Sequence, residues 1–151
     1  MNWDAIGAIG DAVGGIGIVV SLVYLAIQTR NNTSAIHAAS LHEVNASFAE
    51  ISLALSMNSE MTELIQKVLS GEAELTPIER ARFGFFATSF WRRAESMFFQ
   101  SEQGTLQQES WRGLEVTLRV LIQSNEGRLW WADTSDRFNS KFQKFVSDRL
   151  L

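Results

Sequence analysis

The two histidines are the side chains best suited to acid–base or metal chemistry, and their spacing argues against a shared site. His37 and His42 lie five positions apart. On an α-helix that spacing turns them about 140° from each other, whereas metal ligands on one helix face lie three or four positions apart. The chain also contains no cysteine, which removes disulfides, thiolate metal ligands and thiol nucleophiles.

Motifs for catalysis and for phosphate binding are missing as well. The sequence contains no H-E-x-x-H, G-x-S-x-G or Walker pattern. The run Gly10–Gly17 reads G-x-x-x-G-G-x-G, but no strand precedes it and no lysine follows it. We therefore expect no catalytic residue, no metal site and no cofactor, and we predict that the protein is not an enzyme.

The charge pattern argues against nucleic acid as a partner. The chain carries 13 basic and 17 acidic residues, for a net charge of −4. The arginines alternate with acids, as in Glu79-Arg80 and Asp148-Arg149. Because binding to phosphates needs a concentrated basic face, we expect no nucleic-acid partner.

The longest apolar run, Ile6–Ile27, predicts a membrane-spanning helix. These residues carry one charge, and a helix of about 22 residues would be about 33 Å long against a hydrocarbon core of about 30 Å. This run predicts a transmembrane anchor at residues 1–30 and a soluble domain at residues 31–151. The alternative is a buried central helix in a soluble protein, which Asp11 and the five glycines of the run favour.

The residues that flank this run bear on its processing and orientation. No positive charge precedes the run, so it does not resemble a cleaved signal peptide. Asp4 precedes the run and Arg30 follows it, so the positive-inside rule favours an outer N-terminus and a cytoplasmic soluble domain. Trp3 and Tyr24 would lie near the two membrane interfaces.

Small or polar residues form one face of the predicted span. They recur at spacings of four and three: Gly10, Gly14, Gly17, Ser21, Tyr24 and Gln28. Gly10-x-x-x-Gly14 is a spacing that lets two helix backbones approach closely, so this face predicts a helix–helix interface. Asp11 beside it is either a polar contact to a partner helix, a pore-lining acid or a residue at the level of the lipid headgroups.

The remainder of the sequence predicts only helices, so the fold class is all-α. From His37 to Leu55, residues that are apolar after His37 recur at helical spacing, and they fall on the same helix face as apolar residues of the predicted span. This continuity predicts one long helix that enters the soluble bundle, and Asn31–Ser34 is the alternative site of a kink. Further helices are expected at Glu60–Leu69, from Thr76 to Gln103, around Trp111–Leu121, and from a cap at Asn139 or Ser140. Asn125-Glu126-Gly127 should break the chain before a short element with Trp130 and Trp131.

Three segments of the chain resemble those of a known family. They are the opening WDAIGAIGDAVGGIGIVVSLVYLAIQTRNNT, the helix start Thr76-Pro77-Ile78-Glu79-Arg80, and Trp130-Trp131 before a Phe-rich helix. In these features the chain resembles an uncharacterised family of small single-span bacterial membrane proteins. The resemblance covers most of the chain and implies a bacterial inner-membrane location. It implies no activity.

These observations lead to two functional hypotheses. The first is a single-span membrane protein that acts in assembly, either as a homo-oligomer or as an accessory subunit of a larger membrane complex. Its partners would be itself or other membrane-protein subunits, together with the lipid bilayer. The second is a small homo-oligomeric pore or transport element with Asp11 at its mouth.

Overall fold

The computed structural model describes the backbone of residues 3–71 and 74–151 and the side-chain surroundings of residues 14–71 and 74–151. These described residues form helices joined by short non-helical segments and include no strand, which confirms the all-α fold class. Six α-helices follow in order: α1 Trp3–Met57, α2 Ser59–Ser70, α3 Pro77–Glu102, α4 Gln108–Gln123, α5 Asn125–Thr134 and α6 Ser140–Arg149. A short 3-10 helix, Ser135–Arg137, lies between α5 and α6.

The first helix, α1, is continuous over 55 residues, including Asn31–Ser34, where the sequence also allowed a kink. Backbone contacts divide the chain into two units, Met1–Ala39 and Ser40–Leu151. Among the described residues, no helix has the length and apolar character needed to cross a membrane. Ile6–Val13, the first part of the predicted span, lie outside the residues whose side chains are described. The transmembrane anchor therefore stays a prediction.

Side-chain caps fix the starts of α2 and α3, and the cap at Thr76 is the one that the sequence predicts. Asn58 accepts a hydrogen bond from the Met61 amide at the start of α2, and Gly71 ends that helix in the left-handed region with φ of 65°. At the start of α3, the Thr76 hydroxyl accepts from the Glu79 amide, and the Glu79 carboxylate accepts from the Thr76 amide. This reciprocal pair is a capping box, and Pro77 occupies the first helical position.

The core of the second unit is built on α3 and is rich in aromatic side chains. Apolar residues at helical spacing along α3 form a main stripe: Phe83, Phe90, Ala94 and Met97 are buried, and Phe86 packs against them. A second buried set on α3, Ala87, Trp91 and Phe98, extends the apolar face. From α1, Val44 is buried, and Phe48 and Ile51 pack against the same core.

One predicted break lies slightly earlier than expected. α4 ends at Gln123, and Asn125-Glu126-Gly127 form the first turn of α5 rather than a loop. The change of direction occurs at the single residue Ser124, which ends α4 and begins α5 in an extended conformation. Its hydroxyl donates to the Leu121 carbonyl at 2.7 Å and accepts from the Gly127 amide at 3.0 Å. A glycine is needed at position 127 because the end of α4 lies close to its backbone. A Cβ added there would lie 2.0 Å from the Leu121 carbonyl oxygen.

The first prediction concerns that close approach. Gly127→Ala should destabilise the protein by about 1–3 kcal/mol, because the backbone must move to admit one methyl group. The matched control is Gly113→Ala in α4, where an added Cβ meets no atom within 4 Å. There the same change should stabilise by about 0.5–1 kcal/mol, since alanine favours a helix interior. Thermal unfolding followed by tryptophan fluorescence measures both changes, and equal effects of the two variants would contradict this account.

The second prediction follows from the cap of α3. The hydrogen bond from Lys67 and those from Thr76 lower the pKa of Glu79 from 4.5 to about 2. Since this pKa is lower in the folded chain than in the unfolded chain, the stabilisation is complete above about pH 4.5 and is lost as the pH falls towards 2. The difference in melting temperature between the parent and Glu79→Gln should therefore shrink over that window. If this difference in melting temperature does not change with pH, the ionised carboxylate of Glu79 contributes nothing to the stability of the fold.

Candidate functional site

The most unusual surface of the described residues is an apolar stretch of α1. Eight large apolar side chains between Ile16 and Ile27 are each 54% to 66% exposed: Ile16, Ile18, Val19, Val20, Leu22, Val23, Leu25 and Ile27. In the second unit, by contrast, Val44 of the same helix is only 6% exposed. A contiguous exposed apolar surface of this kind marks a site for another protein or for a membrane.

The distribution of these side chains around the helix separates two faces. At about 100° per residue, the eight apolar residues cover an arc of about 220°. We call this the apolar arc. The remaining side holds Gly14, Gly17, Ser21, Tyr24 and Gln28 within about 80°, and we call this the small-residue face. An arc of that width is much broader than the stripe a helix needs to pack on a single protein core.

The small-residue face is open in the structure. A Cβ added at Gly14 or at Gly17 would meet no atom within 4 Å, apart from the helix's own backbone and chain neighbours. The Ser21 hydroxyl donates to the Gly17 carbonyl at 2.8 Å, so its hydrogen-bonding need is met within the helix. Thr29 bonds to the Leu25 carbonyl in the same way. These polar groups can therefore enter an apolar environment without an unsatisfied donor.

Not all of the predicted interface residues can be placed in the same detail. Gly14, Gly17, Ser21, Tyr24 and Gln28 follow one uninterrupted helix, so the structure brings them to one face. Gly10 and Asp11 lie in the part of the chain whose side chains are outside the described residues. Their predicted roles in close packing and as a polar contact or pore acid stay predictions.

The histidines do not form a site together in the described part of the chain. His37 is half-buried and His42 is exposed. No group of three or more His, Asp or Glu side chains in that part is arranged to hold a metal ion.

A groove of about 440 Å³ lies between α3 and α5 in the second unit. Arg80 closes part of it with two hydrogen bonds to Glu126, at 3.2 Å and 3.3 Å, and these bonds raise the pKa of the guanidinium. The Thr88 and Thr134 hydroxyls each donate to a carbonyl one turn earlier in their own helix. These four polar side chains therefore need no ligand.

The sequence analysis missed one feature of this groove. Phe85, off the main stripe of α3, is 77% exposed at its edge, whereas Phe99, also off the stripe, packs against the core. The difference arises because α6 and α4 cover the C-terminal half of α3, where Phe98 contacts Phe142 and Trp111. No sequence signal distinguishes the two positions.

No protein-family model, curated protein or solved structure matches this chain.

Proposed function

We propose that the chain is a single-span membrane protein that acts in assembly, through contact of its small-residue face with another membrane helix. The observation that carries this proposal is the apolar arc of α1, where large apolar side chains are more than half exposed over about 220° of the helix. In water such a surface would favour aggregation, whereas in a bilayer its apolar side chains would contact lipid tails.

The full sequence supports the membrane setting. The run Ile6–Ile27 includes the apolar arc and has the length of a bilayer span. Arg30 follows the run, which favours a cytoplasmic position for the helices from α2 onward and an outer N-terminus in the bacterial inner membrane. The backbone-bonded hydroxyl of Ser21 is compatible with the hydrocarbon region, because it exposes no free donor.

The small-residue face supports assembly as the role. Membrane helices gain little from apolar contact with each other, because lipid tails are equally apolar, so close backbone packing favours association. Gly14 and Gly17 leave room for such an approach. The partner is a second copy of this chain or one helix of a larger membrane complex.

The third prediction tests the membrane span. The parent chain should stay in the membrane fraction after a carbonate wash. The double variant Val19→Lys with Val23→Lys should be released, since a lysine at the centre of a span costs about 2.5–3.5 kcal/mol of insertion free energy and Val19 lies near that centre.

The control has the same geometry on α4. Val116 and Val120 are also four positions apart and are 63% and 53% exposed. Replacing both with lysine should leave the chain in the membrane fraction. A parent chain that is soluble without detergent would overturn the span, whatever the variants do.

The fourth prediction tests the small-residue face. Gly14→Leu should reduce the particle mass in mild detergent or the recovery of partner subunits, because the leucine side chain holds a neighbouring helix away. It should not impair insertion, since leucine favours the bilayer by a few tenths of a kcal/mol. A Cβ added at Gly14 meets no atom within 4 Å apart from the helix's own backbone and chain neighbours, so an effect on mass reports on assembly.

The adjacent Gly15 provides a matched control. It lies about 100° around the helix from Gly14, within the apolar arc, and an added Cβ there also meets no atom within 4 Å. Gly15→Leu should keep the mass and the partners of the parent. If Gly14→Leu and Gly15→Leu behave alike, the small-residue face is not an interface.

A further inference from the structure

A polar cleft in the second unit contains buried groups that the chain does not satisfy. It has a volume of about 200 Å³ and lies between α1 and α3. Its polar lining consists of Glu43, Ser47, Glu50, Arg93, Ser96 and Gln100. We call it the Ser47 cleft.

Two atoms of this lining are buried without a hydrogen-bond partner. They are the Ser47 hydroxyl oxygen and the Gln100 side-chain oxygen, and they are the buried side-chain atoms of the described residues that have none. Ser47 is only 8% exposed. Since buried polar groups in folded proteins are almost always paired, two unpaired groups in one cleft indicate that something else fills it.

The charges of the cleft determine the kind of group that fits. Arg93 is already engaged, because its Nη1 donates to the Ser47 carbonyl at 3.0 Å and its Nη2 lies 3.9 Å from the Glu50 carboxylate. Glu43 forms no ion pair within the described chain. With two carboxylates and one guanidinium, the cleft has a net charge of −1.

The unpaired atoms agree with this charge. The Gln100 oxygen can only accept a hydrogen bond, and the Ser47 hydroxyl can donate or accept one. Glu43 lies exposed at the rim of the cleft and adds a further acceptor there. A group that bonds to both buried atoms and to this rim carboxylate therefore carries N–H donors and a positive charge. The volume is below the 300–1,000 Å³ or so of typical ligand pockets, so the group is small.

We propose that the Ser47 cleft binds the cationic head of an amine or a guanidine. The head belongs either to a free small molecule or to a lysine or arginine side chain of a partner protein. The proposal concerns the second unit alone and does not depend on the membrane span.

The test uses the full chain in detergent micelles with butylguanidinium as the probe. Butylurea is the matched control ligand, because it has nearly the same shape and no charge. Saturation-transfer NMR should show saturable binding of butylguanidinium in the millimolar range and none of butylurea. Equal binding of the two ligands, or no saturable binding of either, would overturn the proposal.

Three variants locate the binding. Glu43→Gln removes the unpaired charge, Gln100→Met removes the unpaired oxygen, and each should weaken binding about tenfold. Glu109→Gln removes an exposed carboxylate on α4, outside the cleft, and should leave the affinity unchanged. Binding that survives Glu43→Gln and Gln100→Met at full strength would show that the probe binds elsewhere.

A water-filled cleft gives a different result. In that case water satisfies the Ser47 hydroxyl and the Gln100 oxygen, and butylguanidinium does not bind, which overturns the proposal. Where the probe does bind, its source is distinguished by competition. Release of co-purifying subunits at saturating butylguanidinium indicates a partner side chain, and unchanged recovery indicates a free small molecule.

Discussion

The contacts between the aromatic rings of α3 and those of α4, α5 and α6 hold the second unit together. The ring centroid of Trp91 lies 4.9 Å from that of Trp131 in α5 and 6.2 Å from that of Phe142 in α6. Two turns later, the ring centroid of Phe98 lies 5.5 Å from that of Phe142 and 5.7 Å from that of Trp111 in α4. Because α5 and α6 have ten residues each, they are too short to be stable alone, and burial of these rings supplies the free energy that keeps them helical.

The single-residue corner at Ser124 places those rings. A longer loop would leave α5 free to rotate, whereas Ser124 binds both the end of α4 and the first turn of α5. These two hydrogen bonds fix the direction of α5. As a result, the Trp131 ring contacts the rings of Trp91 and Phe138. The glycine at position 127 is a condition of this arrangement, since the Leu121 carbonyl occupies the space of a side chain.

Local signals in the sequence predicted much of this fold. Thr76-Pro77-Ile78-Glu79 acts within one turn of the chain, and it fixed the start of α3 where expected. Asn125-Glu126-Gly127 suggested a break because glycine is unfavourable in helices. The reason for that glycine is a close approach of α4, which depends on tertiary structure and has no local signal. The Ser47 cleft was not predictable for the same reason, because Ser47 and Gln100 come together only when α1 packs on α3.

The width of the small-residue face bears on the choice between assembly and a pore. In a ring of helices around a channel, each helix contacts two neighbours and also presents a polar side to the lumen. Along α1 from Gly14 to Gln28, the small and polar residues occupy only about 80°, which suits one neighbouring helix. The other side is occupied by the apolar arc, whose large side chains suit lipid tails. On the proposal that α1 spans a membrane, the geometry of this segment suits pairing with a single helix better than a ring, which is the reason for proposing an assembly role rather than a pore.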